Sequence, residues 1–216
     1  MRFFCSVVSG VSGRRLSAGA ALAGLVLLAG CAGTPAALSN LRYDLGPPSP
    51  PVTAGTLPAV KVLDMVAPTT LETDKMIYRL GYVDAQQTSA YVNSRWTMPP
   101  AQLLTQRLRM ALSAHGPVLN GSDGVRAPML KVSLDEFEQI FDGRAQSHGA
   151  VSARVTLLSE GVVLGQRTFI ARAPASTPDA AGGAQALAAA SADLVAQIAV
   201  WVSAQMPARS PVAATP

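Results

Sequence analysis

An apolar run at residues 18–30, AGAALAGLVLLAG, follows Arg14 and Arg15 and stops at a lone cysteine, Cys31, after which the chain turns to small residues and proline. A basic start and a short apolar centre mark a targeting leader. The run is too short to cross a bilayer, which takes about 20 apolar residues. Whatever folds is therefore built from the residues after it. Removing residues 1–30 takes away Arg2, Arg14 and Arg15, so most of the formal charge of +4 belongs to the leader. The mature chain is nearly neutral. That gives no support for binding nucleic acid, which needs a basic face or stripe.

Leu28-Ala29-Gly30-Cys31 resembles the bacterial lipobox, whose leader is cut just before the cysteine. The competing reading is an ordinary secretory leader that happens to contain a cysteine. On the lipobox reading Cys31 becomes the first residue, diacylated and N-acylated with palmitate-type chains. Ala32 and Gly33 follow, without the aspartate associated with inner-membrane retention, so the expected place is the periplasmic face of the outer membrane. One acyl chain anchors only marginally, and three hold essentially permanently. Cys5 leaves with the leader and Cys31 is capped, so no disulfide forms in the mature chain and no thiol remains for catalysis or a metal.

Composition divides the rest. Residues 31–56 read as the lipidated cysteine and a proline-rich tether, with a small apolar knot at 41–45 that docks as an edge strand if it docks at all. Residues 57–206 read as one domain of ordinary size, and 207–216 as a disordered tail. Within the domain, strands are expected at 59–66, 75–80 and 88–96. A helix over 99–115 opens on Pro99-Pro100 and carries an apolar stripe of Leu104, Leu108, Ala111 and Leu112. A short strand at Val118-Leu119 precedes a long strand region in which Leu130, Val132 and Leu134 alternate until the pattern breaks, as at a bulge, at Asp135-Glu136-Phe137. Strands at 149–158 and 162–172 form a hairpin across Ser159-Glu160-Gly161, the second carrying Val162, Leu164 and Ile170 on one side. The alanine-rich segment 183–205 keeps Leu187, Leu194, Ile198, Trp201 and Gln205 on one helical face, so it reads as a core helix. The fold class is α/β, a mixed sheet of five or more strands with two main helices packed on it.

Catalytic parts are scarce. Neither histidine has metal-ligand spacing. His115 is placed in the last turn of the first helix, where a cation suits the dipole, and His148 in a loop or at a strand edge. No phosphate-binding loop and no G-x-S-x-G occur. Asp135, Glu136, Glu138 and Asp142 lack the partners of a carboxylate pair or a calcium site and read as a solvated strand edge. The chain is expected not to be an enzyme and to need no metal or cofactor.

Tyr78, Tyr82, Tyr91 and Trp96 fall within twenty residues of a chain that is only 5% aromatic, interleaved with Arg79 and Arg95. Aromatic residues with arginine make interaction hot spots, which nominates Tyr78, Arg79, Tyr82, Tyr91 and Trp96 as partner contacts. The alternative is that they are core and edge residues of two strands, with Trp96 stapling sheet to helix.

The order of the lipobox cysteine, "RYDL", "VKVLDM", "MIYRLGY", "AYVNSRWTMPPAQLLTQRLRMAL", "LKVSLDEFEQIFD", a hairpin and a closing "IAVWVSAQM" resembles the ABC-type transport auxiliary lipoproteins, over about residues 41–205. These accompany MCE-type (mammalian cell entry) transporters and include the paraquat-inducible lipoprotein group. The resemblance implies an anticodon-binding-domain-like periplasmic domain and no active site. It also implies a permease, an ATPase and an MCE-domain protein as partners, association with further copies of the chain, and a part in moving phospholipid or another hydrophobic substrate between membranes. An alternative function is structural, as a lipoprotein of another envelope assembly such as a secretion or cell-wall complex.

Overall fold

The computed structural model describes residues 40–48 and 56–206. The expected leader, Cys31, residues 49–55 of the proline-rich tether and the tail lie outside the described residues. In chain order the elements are β1 (Leu41–Tyr43), β2 (Val60–Val62), a 3-10 turn (Thr69–Leu71), β3 (Lys75–Arg79), β4 (Thr88–Trp96), α1 (Pro100–Ser113), β5 (Val118–Leu119), β6 (Met129–Gly143), β7 (Gln146–Ser159), β8 (Val162–Pro174) and α2 (Ala180–Gln205).

The sheet is organised around β6. On one side β7 pairs antiparallel with it along its length, and β8 pairs antiparallel with β7. On the other side the chain from Val60 to Arg79 runs parallel to β6 as an interrupted strand. β2 pairs at Met129 and Leu130, Val66 makes a single bridge to Ser133, and β3 pairs at Gln139 and Ile140. β4 then pairs antiparallel with β3, and β1 lies parallel on β4 as an edge strand, so the knot at 41–45 does dock. β5 lies beside β2. The result is the expected α/β class: among the described residues, one eight-stranded mixed sheet with two helices packed on it.

The alternation read from β6 and β7 is the core. Leu130, Val132 and Leu134 face inward with Val151, Ala153, Val155 and Leu157, all buried. The inward register slips where expected, between Leu134 and Glu136, so that Asp135 is the extra residue of a bulge. Leu104, Leu108 and Leu112 of α1 and Leu187, Leu194 and Ile198 of α2 are fully buried beneath the sheet, each contributing about 1.5–3 kcal/mol by leaving water. Alanines at 184, 186, 190 and 199 let α2 lie close. Gly149 lies close beneath the helix backbone, since a Cβ there would stand 2.6 Å from the Leu187 nitrogen. By length and composition α2 is apolar enough to cross a membrane, but its buried face packs on the sheet. It begins at Ala180, three residues earlier than its apolar pattern, because the Asp179 carboxylate caps it by accepting from the Gly182 amide.

Several sequence expectations change. The strand over 59–66 is regular only at Val60–Val62. Val162, Leu164 and Ile170 do not face the core but are exposed, at 64%, 44% and 58%; Phe169 and Ala171 point inward instead. The reason is that α2 covers only the face of β8 that Phe169 and Ala171 line, while the opposite face meets water. The acidic stretch is not a strand edge, because β6 is flanked on both sides, and Glu138 is buried. α1 ends at Ser113, so His115 lies in the turn beyond the helix, where its carbonyl accepts from the Leu57 amide. His148 lies within β7, an interior strand.

The β7–β8 hairpin turns on Glu160 and Gly161, both at positive φ (49° and 84°), the pattern of a two-residue type I′ turn. Glycine suits that backbone; glutamate is there at some cost.

Candidate functional site

The sheet separates the nominated aromatic residues. Trp96, the last residue of β4, is 1% exposed and meets the Phe137 ring edge-on at 5.3 Å. It sits four residues before α1 opens at Pro100, in the place of a staple between sheet and helix, and presents no surface to a partner. Tyr78 and Tyr91 come together with ring centroids 4.8 Å apart, and Tyr78 meets Phe141 edge-on at 6.0 Å. Tyr91 Oη donates to Gln139 Oε1 at 2.9 Å, and Gln139 Nε2 donates to Ser147 Oγ at 2.8 Å. Burial, with the Asp179 carboxylate and Tyr78 nearby, pushes the Tyr91 hydroxyl up to about 12. Both tyrosines are half-buried, and Tyr91 lies within electrostatic reach of Asp179, the cap of α2.

Arg79 points to the other face. It pairs with Glu138 Oε1 at 2.8 Å and donates to the Ala85 carbonyl at 2.6 Å, holding the turn after β3. Burial raises the Glu138 carboxyl; the Arg79 partner opposes this incompletely. Of the five candidates, Tyr82 alone is exposed by more than a third (44%), beside the exposed Val83 on the same turn.

His148 Nδ1 lies 2.7 Å from Asp142 Oδ2, while its Nε2 is buried without a partner. Ser147 is the neighbouring hydroxyl, but it points to the opposite face and is engaged by Gln139. Among the described residues no three His, Cys, Asp or Glu side chains gather as a metal site.

Two features escaped the sequence reading. Arg107 interrupts the apolar residues of α1 yet is 7% exposed; it donates to the carbonyls of Leu45 and Gly46, both at 2.6 Å, and of Pro47 at 2.9 Å. Burial lowers its basicity, with Asp44 opposing. A lone charge in an apolar helical stripe was the available signal. The second is a groove of about 460 Å³ between α2 and β8, lined by Arg167, Phe169, Asp193, Val200 and Trp201 among others. Nothing in the local pattern brings those segments together.

The described residues form an α/β domain, a mixed sheet backed by two helices. The chain belongs to the ABC-type transport auxiliary lipoprotein component family, whose model matches residues 43–199. Among solved structures, a Xanthomonas campestris protein of the DUF330 family model is similar at 19% identity and a TM-score of 0.64, covering 76% of this chain and 92% of that one. An uncharacterised protein is similar at 20% identity and a TM-score of 0.62, covering 76% and 99%. These likenesses show the fold. None of the curated proteins matches the sequence.

Proposed function

We propose that this protein is anchored by Cys31 in the outer membrane, faces the periplasm, and docks the MCE-domain protein of an ABC-type transport system, serving phospholipid or other hydrophobic substrate movement between the membranes. The observation that carries the reading is the family match over residues 43–199, to the ABC-type transport auxiliary lipoprotein component. The lipobox at 28–31 supports the anchor. The role is binding, without catalysis or cofactor, and Tyr82 with Val83 offers an exposed apolar contact.

The test is capture of tagged, full-length protein from membranes in mild detergent, with co-purifying proteins identified by mass spectrometry. Recovery of an MCE-domain protein with its permease is expected. Recovery of a secretion or cell-wall complex instead would keep the anchor and replace the function. Cys31→Ala is expected to move the folded protein out of the membrane fraction; if it stays there, the anchor is wrong.

A further inference from the structure

We propose that the free edge of β8 is a docking site for an extended segment of a partner protein, one that carries acidic residues on both sides of an apolar pair. This rests on the docking reading above and names the chemistry of the segment that docks.

β8 runs from Val162 to Pro174 and, among the described residues, pairs only with β7. Its outer edge therefore presents unpaired backbone donors and acceptors over thirteen residues, a template for a further strand. Natural edges are usually short or covered; this one is long and carries the exposed Val162, Leu164 and Ile170. Beside it, on the helix face of the sheet, lies the groove floored by Phe169 and Trp201, whose rings meet edge-on at 5.8 Å. Alternate side chains of an added strand would fall into that groove, and the others beside Ile170.

Charge selects the occupant. β8 bears Arg167 and Arg172 and no acid, while Asp193, which lines the groove from α2, accepts from Gln197 Nε2 at 3.0 Å. Both are exposed, and neither has an ion-pair partner among the described residues. The Arg167 guanidinium rests over the Phe169 ring at 5.1 Å. The two arginines are five positions apart and so lie on opposite faces of the strand. A complementary segment needs an acid opposite each, with apolar residues opposite Phe169 and Ile170 between them. That spacing is acid, any, apolar, apolar, any, acid, and it reads the same in either strand direction. A second copy of β8 would bring two basic strands together. The chain's own segments outside the described residues fit no better: 31–39, 49–55 and 207–216 contain no Asp or Glu, and each contains proline.

The test uses the full-length lipoprotein in detergent micelles and the acetylated, amidated peptide TETVVTET. The peptide is expected to bind, to protect backbone amides of 162–174 from hydrogen exchange, and to lose at least tenfold in affinity for Arg167→Glu/Arg172→Glu. The charge-swapped peptide TKTVVTKT should then bind the double variant better than the parent. Both arginines are exposed, so an unchanged thermal melt is the control for folding. Unaltered exchange over 162–174, or equal binding of the two peptides by the parent, would overturn the proposal. So would two other results: protection in the absence of peptide that vanishes on truncation after Met206, which assigns the edge to the chain's own tail, or a doubling of mass abolished by the double variant, which assigns it to a second copy. Capture of the MCE-domain protein is scored separately. If the double variant captures it as well as the parent, β8 is not its dock and the docking function stands. If the parent captures none, the MCE reading fails while the peptide still decides the edge.

Discussion

The Arg107 guanidinium donates to the Leu45 carbonyl at 2.6 Å across sixty-two positions of sequence, with the oxygens of Gly46 and Pro47 completing the same clamp. It fixes the segment that follows β1 against α1. A planar, always-charged fork can serve several carbonyls at once; an ammonium cannot do so in the same geometry.

Arg107→Ala is accordingly expected to cost about 2–3 kcal/mol, the range for hydrogen bonds to a charged donor plus the stranded carbonyls. Arg107→Lys should recover little of it. Chemical denaturation measures the loss, and hydrogen exchange should rise at Leu41–Tyr43 before it rises in β6. Equal exchange at both would mean that the clamp does not secure β1.

Glu138 and Arg79 behave unequally. Burial already raises the carboxyl, so Glu138→Gln should be nearly neutral for stability. Arg79→Ala leaves that buried carboxylate uncompensated and should cost about 3 kcal/mol. Because the folded Glu138 is raised above its unfolded value, its contribution is present at low pH and lost as pH rises through the folded value. Glu138→Gln should therefore flatten the decline in stability on leaving acid, as read by urea unfolding across the carboxylate range.

Tyr91 gives an alkaline signature. Its hydroxyl ionises near 10.0 when unfolded and about 12 when folded. The stability linked to it is thus full below pH 10 and lost between there and 12. Tyr91→Phe should remove that segment of the pH profile. A parent and variant that lose stability in parallel above pH 10 would show that Tyr91 is not the group responsible.

At the β7–β8 turn, Glu160 occupies a left-handed position at φ 49°. Glu160→Asn or Glu160→Gly should raise stability by about 0.5–1 kcal/mol through relief of that backbone. An unchanged denaturation midpoint would show the strain to be relaxed elsewhere. By contrast, Gly149→Ala should cost about 1–3 kcal/mol, because its Cβ would overlap the backbone of α2.

Much of this was legible locally. The alternation of Leu130, Val132 and Leu134, the Leu104–Leu108–Leu112 stripe and the bulge at Asp135 are short-range patterns whose period reveals a buried face. Trp96 was legible only as a choice between hot spot and staple, since an aromatic side chain suits both. What local pattern could not show is which strands are edges: β8 carries apolar residues like a core strand, yet lies outermost, and β6 carries acids like an edge, yet lies within.

The sequence by itself determined the α/β class and carried the runs on which the leader and the Cys31 anchor are proposed, because these depend on runs, periods and counts that a chain carries without folding. Tertiary structure alone decided that Arg107 grips Leu45, that Tyr78 and Tyr91 turn inward while Tyr82 stays out, and that β8 and α2 share a groove. Those are pairings between distant residues, set when the sheet is ordered and one face of each strand is committed to the core.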